Sequence, residues 1–151
     1  EAQIAFTVLE AGGVAYYDAP VSGGIAGAES ATISFMFAGP AEAYARYAPL
    51  IGAVSKRPFH VGTEPGQGQA MKLLNNFLSG IALAATSEAV SYGLSQGLDL
   101  KLMIDVLNAT AGRNFTTQGM LPAMLEGRQS ADPRSPSWRF QVRATHTPTR
   151  H

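Results

Sequence analysis

The sequence predicts an α/β fold that passes into an all-helical region with one long helix. Residues 1–62 alternate short runs of β-branched and aromatic residues with runs whose apolar residues keep helical spacing. Residues 66–121 contain no proline and keep helical spacing throughout. We therefore expect a border between the two regions at residues 63–68, where TEPGQG interrupts both patterns.

The composition limits the classes of protein to which the chain can belong. Its 151 residues are 46% hydrophobic and only 15% charged, which predicts much buried surface and favours a subunit interface. A net charge of zero gives no reason to expect nucleic acid or an anionic membrane as a partner. The lack of cysteine excludes disulfides, thiolate catalysis and cysteine-based metal sites. No uncharged run reaches the roughly 20 residues of a membrane span, so a cytoplasmic protein is expected.

The first predicted elements are a helix, a strand and a loop. The opening run EAQIAFTVLEAGG puts Ile4 and Val8 on one helical face and ends at two glycines. Val14–Val21 (VAYYDAPV) is rich in β-branched and aromatic residues, which predicts a strand. Ser22–Ser30 (SGGIAGAES) is rich in glycine, which predicts a loop with one helical turn.

A second strand, a helix and a third strand follow. Ala31–Gly39 (ATISFMFAG) is strongly apolar, as expected of a buried strand. Pro40 suits the first turn of a helix because no N–H is needed there, and apolar residues at helical spacing continue past Pro49. Arg57–Gly62 (RPFHVG) predicts the third strand.

The helical region opens with a predicted helix of about 30 residues that starts at Gly66. The sequence GLD ends this helix, and Asp99 is expected to cap the next one, which stops near Gly112. A short third helix is predicted over Thr117–Leu125. Beyond it, residues 129–151 gain arginine and proline and lose apolar periodicity, so we expect a disordered or out-of-family tail.

A glycine-rich loop is the first candidate for a binding site. Ser22, Gly23 and Gly24 follow a predicted strand, and ligands bind at strand ends in open α/β sheets. The backbone N–H groups of such a loop, together with a hydroxyl, suit a carboxylate. Taken alone, Ser-Gly-Gly is more often just a turn.

The long helix carries the second candidate. Lys72 and Asn76 lie four residues apart and share one helical face, whereas Asn75 is expected to face elsewhere. A lysine amine in apolar surroundings suits proton transfer, and an asparagine beside it can hold a hydroxyl or orient the lysine. Taken alone, a helical lysine is more often a solvated side chain. Loop and helix together suit a small acid with an oxygen to be protonated.

Other site classes find less support. His60, His146 and His151 lack metal-ligand spacing, so no metal site is predicted. Ser22 lacks convincing histidine and aspartate partners for a catalytic triad. Arg113 either binds an anion or caps the second helix of the helical region, and we favour the cap.

The motifs in combination closely resemble the β-hydroxyacid dehydrogenase family, whose members include 3-hydroxyisobutyrate dehydrogenase and 6-phosphogluconate dehydrogenase. DAPVSGG, GQGQAMKLLNN and LNATAGRN occur in the family's order, and the resemblance covers residues 4–128. It implies the C-terminal part of a Rossmann-type NAD(P)-binding domain over residues 1–65. It also implies part of a helical substrate and dimerisation domain over residues 66–128.

The resemblance also implies functional roles. The family moves a hydride between NAD or NADP and a small 3-hydroxyacid such as 3-hydroxyisobutyrate, and its members form homo-oligomers. Six positions correspond to family residues: Lys72 as the catalytic acid/base, Ser22, Gly23, Gly24 and Asn76 at the substrate, and Gly66 at the cofactor.

Two departures from the family limit this interpretation. The G-x-G-x-x-G dinucleotide fingerprint does not occur in residues 1–65, and the arginine- and proline-rich tail stands where further helices are expected. We therefore expect a fragment of a dehydrogenase that is inactive alone. Two alternatives stay open: a helical dimerisation or binding module, and a tail translated from another reading frame.

Overall fold

A computed structural model describes residues 2–126. The elements in chain order are α1 (Ala2–Ala11), β1 (Val21–Ser22), α2 (Gly24–Glu29), β2 (Ser34–Ala38), α3 (Ala41–Val54), β3 (Arg57–Gly62), α4 (Gln67–Ser95), α5 (Leu100–Ala109), a π-helical turn (Thr116–Met120) and α6 (Leu121–Leu125). The predicted tail, residues 129–151, lies outside the described residues. The chain divides into two compact units, and the division falls within α4, between Phe77 and Leu78.

The first unit is built on a three-stranded sheet in the order β1-β2-β3. Strand β1 pairs antiparallel with β2, whereas β2 and β3 are parallel, with Ser34 opposite Arg57 and Phe37 opposite His60. Parallel neighbours need a crossover connection, and α3 supplies it. The predicted α/β class and the bounds of β3 are confirmed.

The predicted strand over Val14–Val21 is wrong in extent. Only Val21 and Ser22 form β1, and Asp18 makes one isolated antiparallel bridge to Ala38. The composition favours extended backbone, but pairing also needs free donors, and Pro20 has no N–H to give. Ser22 therefore lies inside β1, opposite Ser34, and not after it.

The core of the first unit explains why its aromatic residues recur. Phe37, Ala43 and Ile51 are buried together where β2 meets α3. Half-buried tyrosines surround them, and the rings of Tyr17 and Phe37 lie 5.5 Å apart between centroids. Tyr17 thus contributes to the core by packing, although it does not join the sheet.

The described region after β3 is helical, as predicted. Helix α4 is 29 residues long, and Asp99 caps α5 as predicted, since its Oδ1 accepts from the backbone N–H of Leu102 at 2.8 Å. Val90, Ile104 and Leu121 form its buried core. The helix predicted over Thr117–Leu125 exists, but its first turn is π-helical. No helix within residues 2–126 is long and apolar enough to cross a membrane.

Candidate active site

The Ser-Gly-Gly segment turns sharply from β1 into α2. Gly23 has a φ of 143° and Gly24 a φ of 60°, both in the region that favours glycine. A Cβ on Gly23 would lie 3.3 Å from the Cα of Ile33, so a side chain would also crowd the neighbouring segment. Both glycines are exposed, which leaves their backbone accessible to a ligand.

Helix α4 brings an asparagine to this segment. The Asn75 side-chain amide donates to the Ser22 hydroxyl at a nitrogen–oxygen distance of 3.4 Å. The expectation that Asn75 faces elsewhere is therefore wrong, because positions three apart on a helix share a face as well as positions four apart. Asn76 is exposed, and its role at a substrate stays a prediction.

Lys72 lies on the same side of α4, three residues before Asn75. Its side chain is half-buried, in contrast to the exposed Met71 and Leu73 beside it. Within residues 2–126 its amine forms no ion pair. The geometry thus offers a partly sheltered cation that no described carboxylate neutralises, within one helical turn of a residue that contacts Ser22.

A buried carboxylate fixes the start of this helix. Asp18 is 2% exposed, and its two oxygens accept from separate backbone N–H groups. Oδ1 accepts from Gly66 at 2.9 Å and Oδ2 from Gln69 at 2.8 Å. One donor immediately precedes α4 and the other is its third residue, and backbone N–H groups at a helix start have no carbonyl partner within the helix. Asp18 is not among the site residues predicted from sequence; the available signal was a lone acid in an apolar run, since a buried charge requires partners.

Glycines allow the close approach of helix and carboxylate. Gly68 is buried, and a Cβ there would lie 2.6 Å from both Asp18 Oδ2 and the Met36 carbonyl oxygen. Gly66 has a φ of 93°, and its N–H is already engaged by Asp18. Gly66 therefore has a structural role at the start of α4. Its contact with a cofactor stays a prediction.

The histidines and Arg113, the other candidates from the sequence, give no support for a second site within residues 2–126. His60 Nε2 lies 2.7 Å from the Gly39 carbonyl oxygen, and its ring stacks on Tyr44. Within residues 2–126 no group of three histidine, aspartate or glutamate side chains could hold a metal ion. His146 and His151 lie outside the described residues. The Arg113 side chain is exposed, and both of its interpretations stay open.

Family models match nearly all of the described chain. One for the NAD binding domain of 6-phosphogluconate dehydrogenase matches residues 1–62. Another, for the NAD-binding region of NADP-dependent 3-hydroxyisobutyrate dehydrogenase, matches residues 66–135. The first match ends just before the TEPGQG segment, residues 63–68, and the second begins within it.

Individual proteins agree with these models. The chain is 42% identical to 3-hydroxyisobutyrate dehydrogenase of Pseudomonas aeruginosa over 103 residues, which are 68% of this chain and 34% of that enzyme. The solved Mycobacterium tuberculosis 3-hydroxyisobutyrate dehydrogenase with L-serine is 30% identical, with a TM-score of 0.75 over 80% of this chain and 41% of that one. Psf3 in complex with NADP+ and 2-OPP is 33% identical, with a TM-score of 0.75 over 95% of this chain and 56% of that one. The chain thus spans about a third of the length of the curated relative.

Proposed function

We propose a function on one premise: the chain belongs to the β-hydroxyacid dehydrogenase family. The proposal is that it carries the substrate loop and the proton-transfer residue of an NAD(P)-dependent dehydrogenase acting on a small 3-hydroxyacid such as 3-hydroxyisobutyrate. The hydrogen bond from Asn75 to Ser22 supports this best, because it ties the loop to the helix that carries Lys72.

Each group has a defined task in this proposal. The Ser22 hydroxyl and the N–H groups of Gly23 and Gly24 bind the substrate carboxylate. Lys72 Nζ gives a proton to the carbonyl oxygen during reduction and takes the hydroxyl proton during oxidation. Asn76 holds the reacting oxygen. In the complete enzyme a nicotinamide dinucleotide would supply or accept the hydride at the carbon that carries this oxygen.

The residues of this chain do not fit a complete dinucleotide site. Residues 1–65 lack the glycine fingerprint, and the N–H of Gly66 is engaged by a carboxylate that would repel a phosphate. The chain alone is therefore proposed not to turn over substrate. Titration of the 151-residue chain with NADPH or NADH, followed by nucleotide fluorescence, tests this; micromolar affinity contradicts it.

A chimera tests the proposed chemistry. Residues 2–126 of this chain replace the corresponding segment of the Pseudomonas aeruginosa enzyme, to which the chain is 42% identical over 103 residues. We expect NAD(P)-dependent oxidation of 3-hydroxyisobutyrate or L-serine. Lys72→Ala is expected to lower kcat by at least about a hundredfold, which is within the range of general acid–base catalysis.

Two further variants make this test specific. Lys72→Arg keeps the charge but is also expected to be inactive, because a guanidinium does not release its proton near neutral pH. Lys101→Ala removes an exposed lysine from the first turn of α5 and is expected to leave kcat unchanged. Near-normal turnover by Lys72→Ala rejects the role assigned to Lys72.

A second function rests on the apolar surface of α4. Leu73, Phe77 and Ile81 lie at four-residue intervals and are 69%, 68% and 50% exposed. Such a stripe favours association, so the chain is alternatively an inactive helical dimerisation module. Light scattering after size-exclusion chromatography tests this, with Phe77→Glu expected to weaken a dimer. A native chain that is monomeric at all concentrations excludes this function.

A further inference from the structure

Asp18 is the buried ionisable group that the proposed chemistry leaves unused. Its side chain is 2% exposed, and within residues 2–126 no basic side chain forms an ion pair with it. Removing a carboxylate from water is costly unless hydrogen bonds replace the lost hydration. Both oxygens have such bonds, and both donors lie at the start of α4.

These two bonds restrict the start of α4 in two ways: it can neither slide along the helix axis nor rotate about that axis without breaking one of them. Gly66 and Gln69 lie on successive parts of one turn, so a carboxylate that accepts from both holds the helix start in one orientation. The charge also lies at the positive end of the helix dipole. Lys72 follows Gln69 by three residues and therefore lies one turn further along the helix that Asp18 holds.

The other side of Asp18 is held by the sheet. Its backbone carbonyl accepts from the N–H of Ala38 at 2.8 Å, and the Pro20 carbonyl accepts from Met36 at 2.9 Å. The segment between these two bonds leads directly into Ser22. One short segment is therefore bound to β2, to the start of α4 and to the loop proposed to bind substrate.

We propose that Asp18 is a positioning residue for proton transfer at Lys72. By accepting from Gly66 and Gln69, it sets the distance between the amine on α4 and a substrate held at Ser22. This positioning role rests on the proposed function, since Asp18 can affect the rate of turnover in this way only if Lys72 transfers the proton. Misplacing a reacting group by about 1 Å can lower a rate about a hundredfold.

The first test measures geometry in the 151-residue chain by NMR. Asp18→Asn keeps the size of the side chain but leaves one acceptor where two are needed. We expect amide hydrogen exchange at Gly66 or Gln69 to rise about tenfold or more, and the side-chain amide signal of Asn75 to shift.

Asp99→Asn is the matched control. Asp99 accepts one bond, through Oδ1, and asparagine caps a helix as well as aspartate does. This variant should leave the Asn75 signal unchanged. An unchanged Asn75 signal and unchanged exchange in Asp18→Asn overturn the proposal.

The second test measures turnover in the chimera. Asp18→Asn is expected to lower kcat by roughly ten- to a hundredfold, while the KM for NAD(P) stays unchanged. Ile104→Val, a cavity-forming change at a residue that is 4% exposed, controls for lost stability and should leave kcat unchanged. An equal loss of kcat in Ile104→Val overturns the positioning role.

The two proposals fail in different ways. Normal kcat in Asp18→Asn with a strongly impaired Lys72→Ala overturns the positioning role alone. Normal kcat in Lys72→Ala overturns the proposed function, as does a native-sequence chimera that folds without activity. In that last case the NMR comparison still decides whether Asp18 sets the position of α4 relative to Ser22.

Discussion

Two helices within residues 2–126 have an aspartate that accepts from the N–H groups at their start, and the two aspartates act over different distances along the sequence. Asp99 immediately precedes α5 and caps it across three residues, at an exposed site. Asp18 caps α4 across 48 and 51 residues, at a buried site. The local cap stabilises one helix end, whereas the distant cap also fixes where the helix lies relative to the sheet.

Alanine at each aspartate tests this difference most strongly. Asp18→Ala removes the shared acceptor of two part-buried hydrogen bonds at the start of α4, so we expect a loss of roughly 2–4 kcal/mol in the free energy of unfolding. Asp99→Ala removes one exposed cap, and about 1 kcal/mol is expected. Urea unfolding of the full chain measures both. Equal losses of unfolding free energy in the two variants would show that Asp18 stabilises only a helix end, as Asp99 does.

Alanine at Gly68 tests whether close contact is needed for the distant cap. The new Cβ would lie 2.6 Å from the Met36 carbonyl oxygen, and backbone atoms there cannot move aside cheaply. We expect Gly68→Ala to cost about 1–3 kcal/mol by the same unfolding measurement.

Gly80 provides the control within the same helix. It is exposed and a Cβ there would meet nothing within 4 Å, so Gly80→Ala should stabilise by about 0.5–1 kcal/mol through helix propensity alone. If both alanines stabilise the chain, the first turn of α4 is not closely packed against the Asp18 segment.

The smallest expected effect concerns pH at the start of α5. The hydrogen bond and charge of Asp105 raise the pKa of the Lys101 amine above its ordinary value of 10.5. A raised pKa means that the pair stabilises the folded chain below that value and loses this contribution as pH rises through the folded-state pKa. Because both side chains are exposed, the contribution is small.

Lys101→Met measures this contribution. Its unfolding midpoint should lie slightly below that of the native chain near neutral pH, and the difference should vanish above the folded-state pKa of Lys101. The same difference at both pH values would assign the effect to packing instead of charge. Lys101 is not expected to affect the rate of turnover.

Local features were predictable from sequence because they depend on neighbouring residues. The Asp99 cap, the bounds of β3 and the length of α4 all follow from residues within a few positions of each other. The prediction of a strand over Val14–Val21 was wrong in extent. Propensity describes whether a segment prefers an extended backbone, but not whether a neighbouring strand is available to pair with it.

The candidate site likewise has local features that were predictable and long-range contacts that were not. Ser22, Gly23 and Gly24 and the lysine of α4 were recognisable as motifs. The bond between Asn75 and Ser22 and the two bonds of Asp18 join segments about 50 residues apart. Helical periodicity restricts which residues share a face, but it does not say which of two adjacent asparagines meets another segment.

The distant cap also has a consequence for kinetics. The bond from Gly66 to Asp18 closes a loop of 48 residues, which costs chain entropy, and we expect it to form after the folding transition state. Replacing Asp18 should therefore accelerate unfolding while changing the folding rate little. The time for which Lys72 is held at one distance from Ser22 then depends on how rarely this bond opens, which makes Asp18 a determinant of the lifetime of the proposed site.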